Sequence, residues 1–155
     1  MSKKDRRTRV LTIKQYGRLY VRYDCDLATC FYCGHPRETL DHVPPISVVA
    51  DMGEAAAMKR KIRFFLVPAC GTCNSLLGAR RLALISERGG FLWGAYCNLV
   101  EKTYHGWTKA ELADIGPGLK GYIGACARRA DLYVDKLRGV EKRLLWLSRS
   151  EDDAL

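Results

Sequence analysis

Cys30-Phe31-Tyr32-Cys33 and Cys70-Gly71-Thr72-Cys73 are two CxxC pairs, and Asp41-His42-Val43-Pro44 lies between them. A CxxC pair brings two thiolates close enough to bind one tetrahedral zinc ion, and two such pairs complete a closed site without an open coordination position. The four cysteines therefore predict a structural zinc site that organises the fold and takes no part in chemistry. His35 is surplus to these four ligands.

Three residues near the cysteines have side chains suited to hydrolysis. Asp41 and His42 are adjacent, and Asn74 directly follows the last cysteine. Carboxylate and amide oxygens are ligands of Mg²⁺, and a neutral imidazole can take a proton from water at cellular pH. Because adjacent strand residues point to opposite faces, Asp41 and His42 can approach a metal and a water from different sides. These three residues are the candidate catalytic group.

The composition predicts one domain with a polyanionic partner. The 155 residues include 26 Lys and Arg against 17 Asp and Glu, which gives a formal net charge of +9. Such a balance favours nucleic acid through counterion release and electrostatic steering. Each basic cluster taken alone is better explained as a solvated face, and only the clusters together favour a polyanionic partner. The clusters that we consider candidates for binding nucleic acid are Lys59, Arg60 and Lys61, and Arg80 and Arg81.

The sequence lacks the features of a secreted or membrane protein. The charged first ten residues are not followed by the apolar segment of a signal peptide, and no apolar run approaches the length of a membrane span. We therefore expect a reducing, cytoplasmic location and no membrane partner. The three cysteines outside the CxxC pairs are expected to behave as small buried hydrophobic residues.

The first half of the chain reads as a mixture of helices and strands. Residues 1–10 predict a flexible basic arm, and residues 11–23 favour a helix, although Leu19, Val21 and Tyr23 also alternate as in a strand. The remaining predictions for this half are a strand at Thr39–Val43, a helix at 47–60 and a second strand at Arg63–Val67.

The second half reads as helical throughout. A helix is expected from Asn74 to Gly89-Gly90, where the glycine pair interrupts or bends it, and helical spacing then resumes at Phe91. Thr108 and Glu111 form a capping-box signature, and Gly116-Pro117-Gly118 ends the helix that it begins. A long amphipathic helix follows, with apolar residues stepping by three or four from Leu119 to Leu144. It either packs on the rest of the domain or binds a partner or a second copy of the chain.

The order Cys-x-x-Cys, Asp-His-x-Pro, Cys-x-x-Cys-Asn resembles the zinc-containing branch of the HNH endonucleases, over about residues 30–78. The string Cys-Asn-Ser-Leu-Leu-Gly at its end is similar to small HNH proteins of bacteriophages, for which the location would be the host cytoplasm. The resemblance implies an α+β fold with a ββα-metal, treble-clef-like core held by the four-cysteine zinc site and flanked by helices. The expected division is a basic arm at 1–10, the core at 11–88 and a helical extension packed on it at 89–155.

The resemblance also implies an activity, which is metal-dependent hydrolysis of DNA phosphodiester bonds. In HNH enzymes the residue at the position of His42 is the general base, and those at Asp41 and Asn74 hold one Mg²⁺ or Mn²⁺. The product carries a 5′ phosphate. Arg80 or Arg81, expected within the helix, would contact the scissile phosphate.

Two departures from the family pattern support a second interpretation. Phe65 stands where the family has its middle asparagine, and Leu77 and Gly78 stand where it often has a lysine or histidine. The alternative is a non-catalytic, zinc-containing protein that binds nucleic acid or serves in an assembly and keeps only the HNH frame.

Overall fold

The computed structural model describes residues 14–53, 56, 63–103 and 106–149, which have an α+β architecture. A 3-10 turn at Gly17–Leu19 precedes β1. The elements that follow are β1 (Val21–Arg22), β2 (Thr39–Val43), α1 (Ile46–Met52), β3 (Phe65–Ala69), α2 (Gly71–Leu77), α3 (Ile85–Thr103), α4 (Lys109–Ala113) and α5 (Pro117–Leu147). None of the described helices combines the length and the apolar character that crossing a bilayer requires.

The three strands form one sheet in the order β1-β3-β2. β2 pairs antiparallel with β3, with Asp41 opposite Val67, and β1 pairs parallel with the other edge of β3. The predicted strand at Thr39–Val43 is confirmed, and the second strand begins two residues later than predicted. The helix prediction for residues 11–23 is wrong at Val21–Arg22, because these residues complete the edge of the sheet.

Helix α2 follows β3 after one residue, so β2, β3 and α2 form a strand–strand–helix unit. α2 begins at Gly71, three residues before the predicted start, because the Cys70 side chain accepts a hydrogen bond from the Cys73 N–H and caps the helix. Helix α1 ends at Met52, before a glycine with φ of 77°, and the rest of the helix predicted for 47–60 lies mainly outside the described residues.

The helix predicted from Asn74 to Gly89 is wrong between Leu77 and Ile85, where the chain leaves α2 before α3 begins. Helix α3 then runs without a break through Gly89 and Gly90, so the interruption predicted there is wrong as well. A Cβ on Gly89 would lie 2.9 Å from Leu144 Cδ2 of α5. Because glycine has no side chain, Gly89 lets α3 and α5 pack closely at this point. The domain boundary expected at 88/89 lies within this helix.

The last two helices follow their sequence signals closely. Thr108 and Glu111 form the predicted capping box at the start of α4. Gly116 precedes α5, whose first residue is a proline, and α5 extends a few residues beyond the predicted amphipathic stretch at each end.

Two apolar clusters lie on opposite sides of the sheet. The larger contains the four cysteines of the CxxC pairs, Val43 and Val67 from the strands, and Leu92, Tyr96 and Val140 from α3 and α5. The smaller contains Tyr20, Val49 and Phe64, with Leu66 packed against them. Helices α3 and α5 therefore share a core with the cysteines.

Candidate metal centre and its surroundings

The Sγ atoms of Cys30, Cys33, Cys70 and Cys73 all lie within 4.8 Å of one another, and all four residues are buried. The Cys33 and Cys70 sulfurs are 3.7 Å apart. Zinc–sulfur bonds of about 2.3 Å in a tetrahedron separate the sulfurs by about 3.8 Å, whereas a disulfide requires about 2.0 Å. The four cysteines could therefore hold a metal such as zinc.

Each pair is shaped by local backbone contacts. In the first knuckle (residues 30–34), the Gly34 N–H donates to the Cys30 carbonyl at 2.9 Å, and Gly34 has a φ of 75° that favours glycine. The Phe31 N–H donates to the Pro68 carbonyl of β3 at 2.8 Å and fixes this knuckle to the sheet. The hydrogen bond between Cys30 and Cys33 lowers the pKa of Cys30 and raises that of Cys33, because one sulfur donates its proton to the other.

Two polar side chains from the C-terminal helices reach the sulfurs. The Tyr96 hydroxyl of α3 lies 3.1 Å from Cys73 Sγ, and Lys136 Nζ of α5 lies 3.0 Å from Cys70 Sγ. Both residues are buried. Burial and the neighbouring Cys73 raise the pKa of Tyr96, so its hydroxyl keeps a proton that it can donate.

Asp41 is buried and its carboxylate is fully engaged. Arg88 of α3 donates through Nε to Oδ2 at 2.8 Å and through Nη2 to Oδ1 at 2.6 Å, and the Tyr32 hydroxyl donates to Oδ2 at 2.7 Å. The Arg88 side chain is 0% exposed and that of Asp41 is 4% exposed. Burial raises the pKa of the Asp41 carboxyl above its usual value, and the Arg88 charge opposes this shift. Asp41 therefore has the surroundings of a buried structural ion pair.

The three candidate catalytic residues do not meet around one point. Asn74 Nδ2 lies 3.3 Å from Thr39 Oγ1, on the side of the sheet that Asp41 faces. His42 alternates to the other side, where its ring packs edge-to-face on Tyr20 with 4.9 Å between centroids. Phe65 belongs to the side of the main core, where its ring packs edge-to-face on Tyr23.

The predicted Mg²⁺ or Mn²⁺ site does not fit this arrangement. A cation ligand needs an available carboxylate oxygen, and both oxygens of Asp41 already accept charge-assisted hydrogen bonds from Arg88. Thr39, the contact of Asn74, is two residues from Asp41, which is about 6.8 Å along a strand. The arrangement gives Asp41 and Asn74 separate partners.

The basic residues predicted to bind nucleic acid differ in their surroundings. Arg80 and Arg81 follow the end of α2, so their predicted placement within the helix is wrong. Arg80 stacks on Phe91 with 4.2 Å to the ring centroid, and Arg81 forms an exposed ion pair with Asp51. Lys59, Arg60 and Lys61 lie outside the described residues.

A groove of about 710 Å³ lies between the first knuckle and α5, and we call it the knuckle groove. Arg143 crosses its aromatic part, with the guanidinium 4.2 Å from the Phe31 ring centroid and 5.2 Å from that of Trp146. Arg143 Nε also donates to the Phe31 carbonyl at 2.8 Å. The groove is lined by Phe31, Cys33, Gly34, His35, Pro36, Asp135, Arg138, Gly139, Lys142, Arg143 and Trp146.

Sequence reasoning missed Arg88, Tyr96 and Lys136. Lys136 did carry a signal, because it lies three residues after Tyr133 and four before Val140, which places a lysine on the apolar face of α5. Arg88 carries the same signal, because it lies three residues after Ile85 and four before Leu92, whereas Tyr96 occupies an ordinary apolar position of its helix. Comparisons with protein-family models, curated proteins and solved structures found no significant match.

Proposed function

We propose that this chain is a zinc-stabilised nucleic-acid-binding protein built on an HNH-type frame. The strand–strand–helix unit supports the frame, because one CxxC pair precedes β2 and the other lies at the junction of β3 and α2. This is the order that the resemblance implies for a ββα-metal core. The sulfur spacing and burial of the four cysteines support zinc as the metal.

The knuckle groove is the observation that carries the binding function. It brings Arg138, Lys142 and Arg143 together with one carboxylate, and it includes the exposed aromatic ring of Trp146. Arg138 and Lys142 are exposed and lie one helical turn apart on α5, on the same face. Exposed cations one turn apart on a helix suit the phosphate backbone of a nucleic acid.

The surroundings of Asp41 and Phe65 favour binding without hydrolysis. The Asp41 carboxylate is neutralised by Arg88 within the core. The position of the family's middle asparagine is occupied by a ring that packs on Tyr23. Both side chains are engaged with other residues of the fold, at positions where an HNH enzyme keeps polar groups for its reaction.

Metal-dependent hydrolysis of DNA is the second candidate function. The observation in its favour is that Asn74 and Asp41 lie on the same side of the sheet. His42, which has the imidazole, follows Asp41 directly in the sequence. An HNH enzyme would use His42 as the base and Asp41 and Asn74 as the cation ligands. Such a state requires Asp41 to be released from Arg88.

Binding is tested with two matched double variants of α5. Arg138→Gln with Lys142→Gln removes two charges from the knuckle groove, and Arg128→Gln with Arg129→Gln removes two exposed charges elsewhere on the same helix. We expect the first variant to bind duplex DNA at least tenfold more weakly in fluorescence anisotropy. The slope of log K against log salt should become shallower by about 1.8, because each phosphate that a cation neutralises contributes about 0.9. Equal weakening in the two variants would contradict this assignment.

Hydrolysis is tested by incubating supercoiled plasmid with the protein and Mg²⁺, Mn²⁺ or EDTA. We expect the plasmid to stay supercoiled under conditions in which anisotropy shows binding. Cutting that requires metal and disappears in His42→Ala would instead establish the endonuclease and overturn the non-catalytic interpretation.

A further inference from the structure

The thiolate cluster touches two hydrogen-bond donors that lie outside the strand–strand–helix unit. Lys136 Nζ lies 3.0 Å from Cys70 Sγ, and the Tyr96 hydroxyl lies 3.1 Å from Cys73 Sγ. Lys136 is 4% exposed and Tyr96 is 0% exposed. Neither contact follows from a CxxC pattern, since both donors come from the C-terminal helices.

Charge explains why a lysine is tolerated at this position. Four thiolates around a divalent ion carry a net charge of −2 inside the core, and a buried negative charge is costly unless it is paired or hydrogen-bonded. A buried ammonium group has the same need for an opposite charge. The contact between Lys136 and Cys70 meets both needs at once.

The backbone of α5 is shaped to allow this contact. A Cβ on Gly139 would collide with the carbonyl group of Cys33, so only glycine permits the helix to approach the first knuckle this closely. Gly139 lies three residues after Lys136 and therefore on the same face of α5. The close approach brings the lysine within reach of the second CxxC pair.

We propose that Lys136 and Tyr96 are positioning residues of the metal centre, which neutralise and orient its thiolates and thereby raise the affinity for zinc. The proposal rests on the zinc site itself. It also makes zinc binding and the docking of α3 and α5 mutually dependent, because the donors come from these helices. Partners beyond the direct ligands commonly change metal affinity by about 10- to 100-fold.

The test measures zinc affinity by competition with a chromophoric chelator under reducing conditions. We expect Lys136→Met to bind zinc about 10- to 100-fold more weakly than the wild-type protein and Tyr96→Phe about tenfold more weakly. Lys136→Arg keeps the charge and should recover most of the affinity. Lys120→Met is the control, because Lys120 is an exposed lysine of the same helix.

A second readout uses Co²⁺ in place of zinc. The absorption bands of the Co²⁺–thiolate site should shift in Tyr96→Phe and Lys136→Met and stay unchanged in Lys120→Met. Zinc affinities of both positioning variants within twofold of wild type would overturn the proposal. If Lys136→Met does not fold, Tyr96→Phe decides the question alone. Failure of the wild-type chain to bind zinc would overturn the metal site itself, which is a separate result.

Discussion

Replacing Arg88 by methionine removes the cation that faces Asp41 and leaves a carboxylate inside the core. The two charge-assisted hydrogen bonds, at 2.8 Å and 2.6 Å, can then no longer form. Hydrogen bonds of this kind contribute about 1.5–3 kcal/mol each, and breaking a buried ion pair from one side costs about 3–5 kcal/mol. We therefore expect Arg88→Met to lower the free energy of unfolding by about 3–5 kcal/mol. This is a large share of the total, because a domain of this size has about 5–15 kcal/mol of stability.

The measurement is urea unfolding followed by tryptophan fluorescence, with zinc present. A double variant with Asp41→Leu and Arg88→Met removes both charges and should be more stable than Arg88→Met alone, with a coupling free energy of at least about 2 kcal/mol. Arg128→Met is the control, because Arg128 is exposed and its replacement should change stability by less than about 0.5 kcal/mol.

Two results would refute this account of Asp41. A cost below about 1 kcal/mol for Arg88→Met would mean that the ion pair does not stabilise the fold. Stabilisation of the wild-type protein by millimolar Mg²⁺, abolished in Asp41→Asn, would mean that the carboxylate exchanges Arg88 for a cation. The second result would support metal-dependent hydrolysis of DNA as the function of the chain.

Two further predictions concern α5 and the metal. Gly139→Ala should destabilise the protein by at least about 1–3 kcal/mol in the same unfolding assay, because the methyl group of the new alanine collides with the Cys33 backbone. Gly121→Ala is the control and should stabilise the protein by about 0.5–1 kcal/mol, because there is open space around Gly121. Equal effects would contradict the close approach. EDTA with a reductant should lower the thermal unfolding midpoint and added zinc should restore it, and acidification should release the metal because thiolates must be deprotonated to bind it. An unchanged midpoint after verified metal removal would show that the metal does not support the fold.

The sequence predicts best what local chemistry decides. Thr39–Val43 ends directly before a proline, and Thr108 with Glu111 satisfies the first amides of a helix, so both elements lie where we expected them. The four cysteines also come together as expected, because a CxxC turn needs only a few residues to bring two sulfurs close.

Contacts between residues that are far apart in the sequence account for the differences between the predicted and the observed structure. Gly89 and Gly90 suggest a break in isolation, but α3 stays continuous because Leu144 of α5 packs against Gly89. Val21 and Arg22 pair with β3, whose sequence position is more than 40 residues away, and no helical periodicity can reveal that pairing. The sequence favours Asp41 as a metal ligand because nothing near it along the chain indicates Arg88.

Helix α3 is attached to its surroundings at two points, because Arg88 binds Asp41 of β2 and the Tyr96 hydroxyl contacts the sulfur of Cys73. The two attachments are about 12 Å apart along the helix axis. A helix that is attached at both points cannot tilt near Tyr96 without also moving the segment that contains Arg88. We therefore expect a displacement of the sulfurs to reach β2 through this helix.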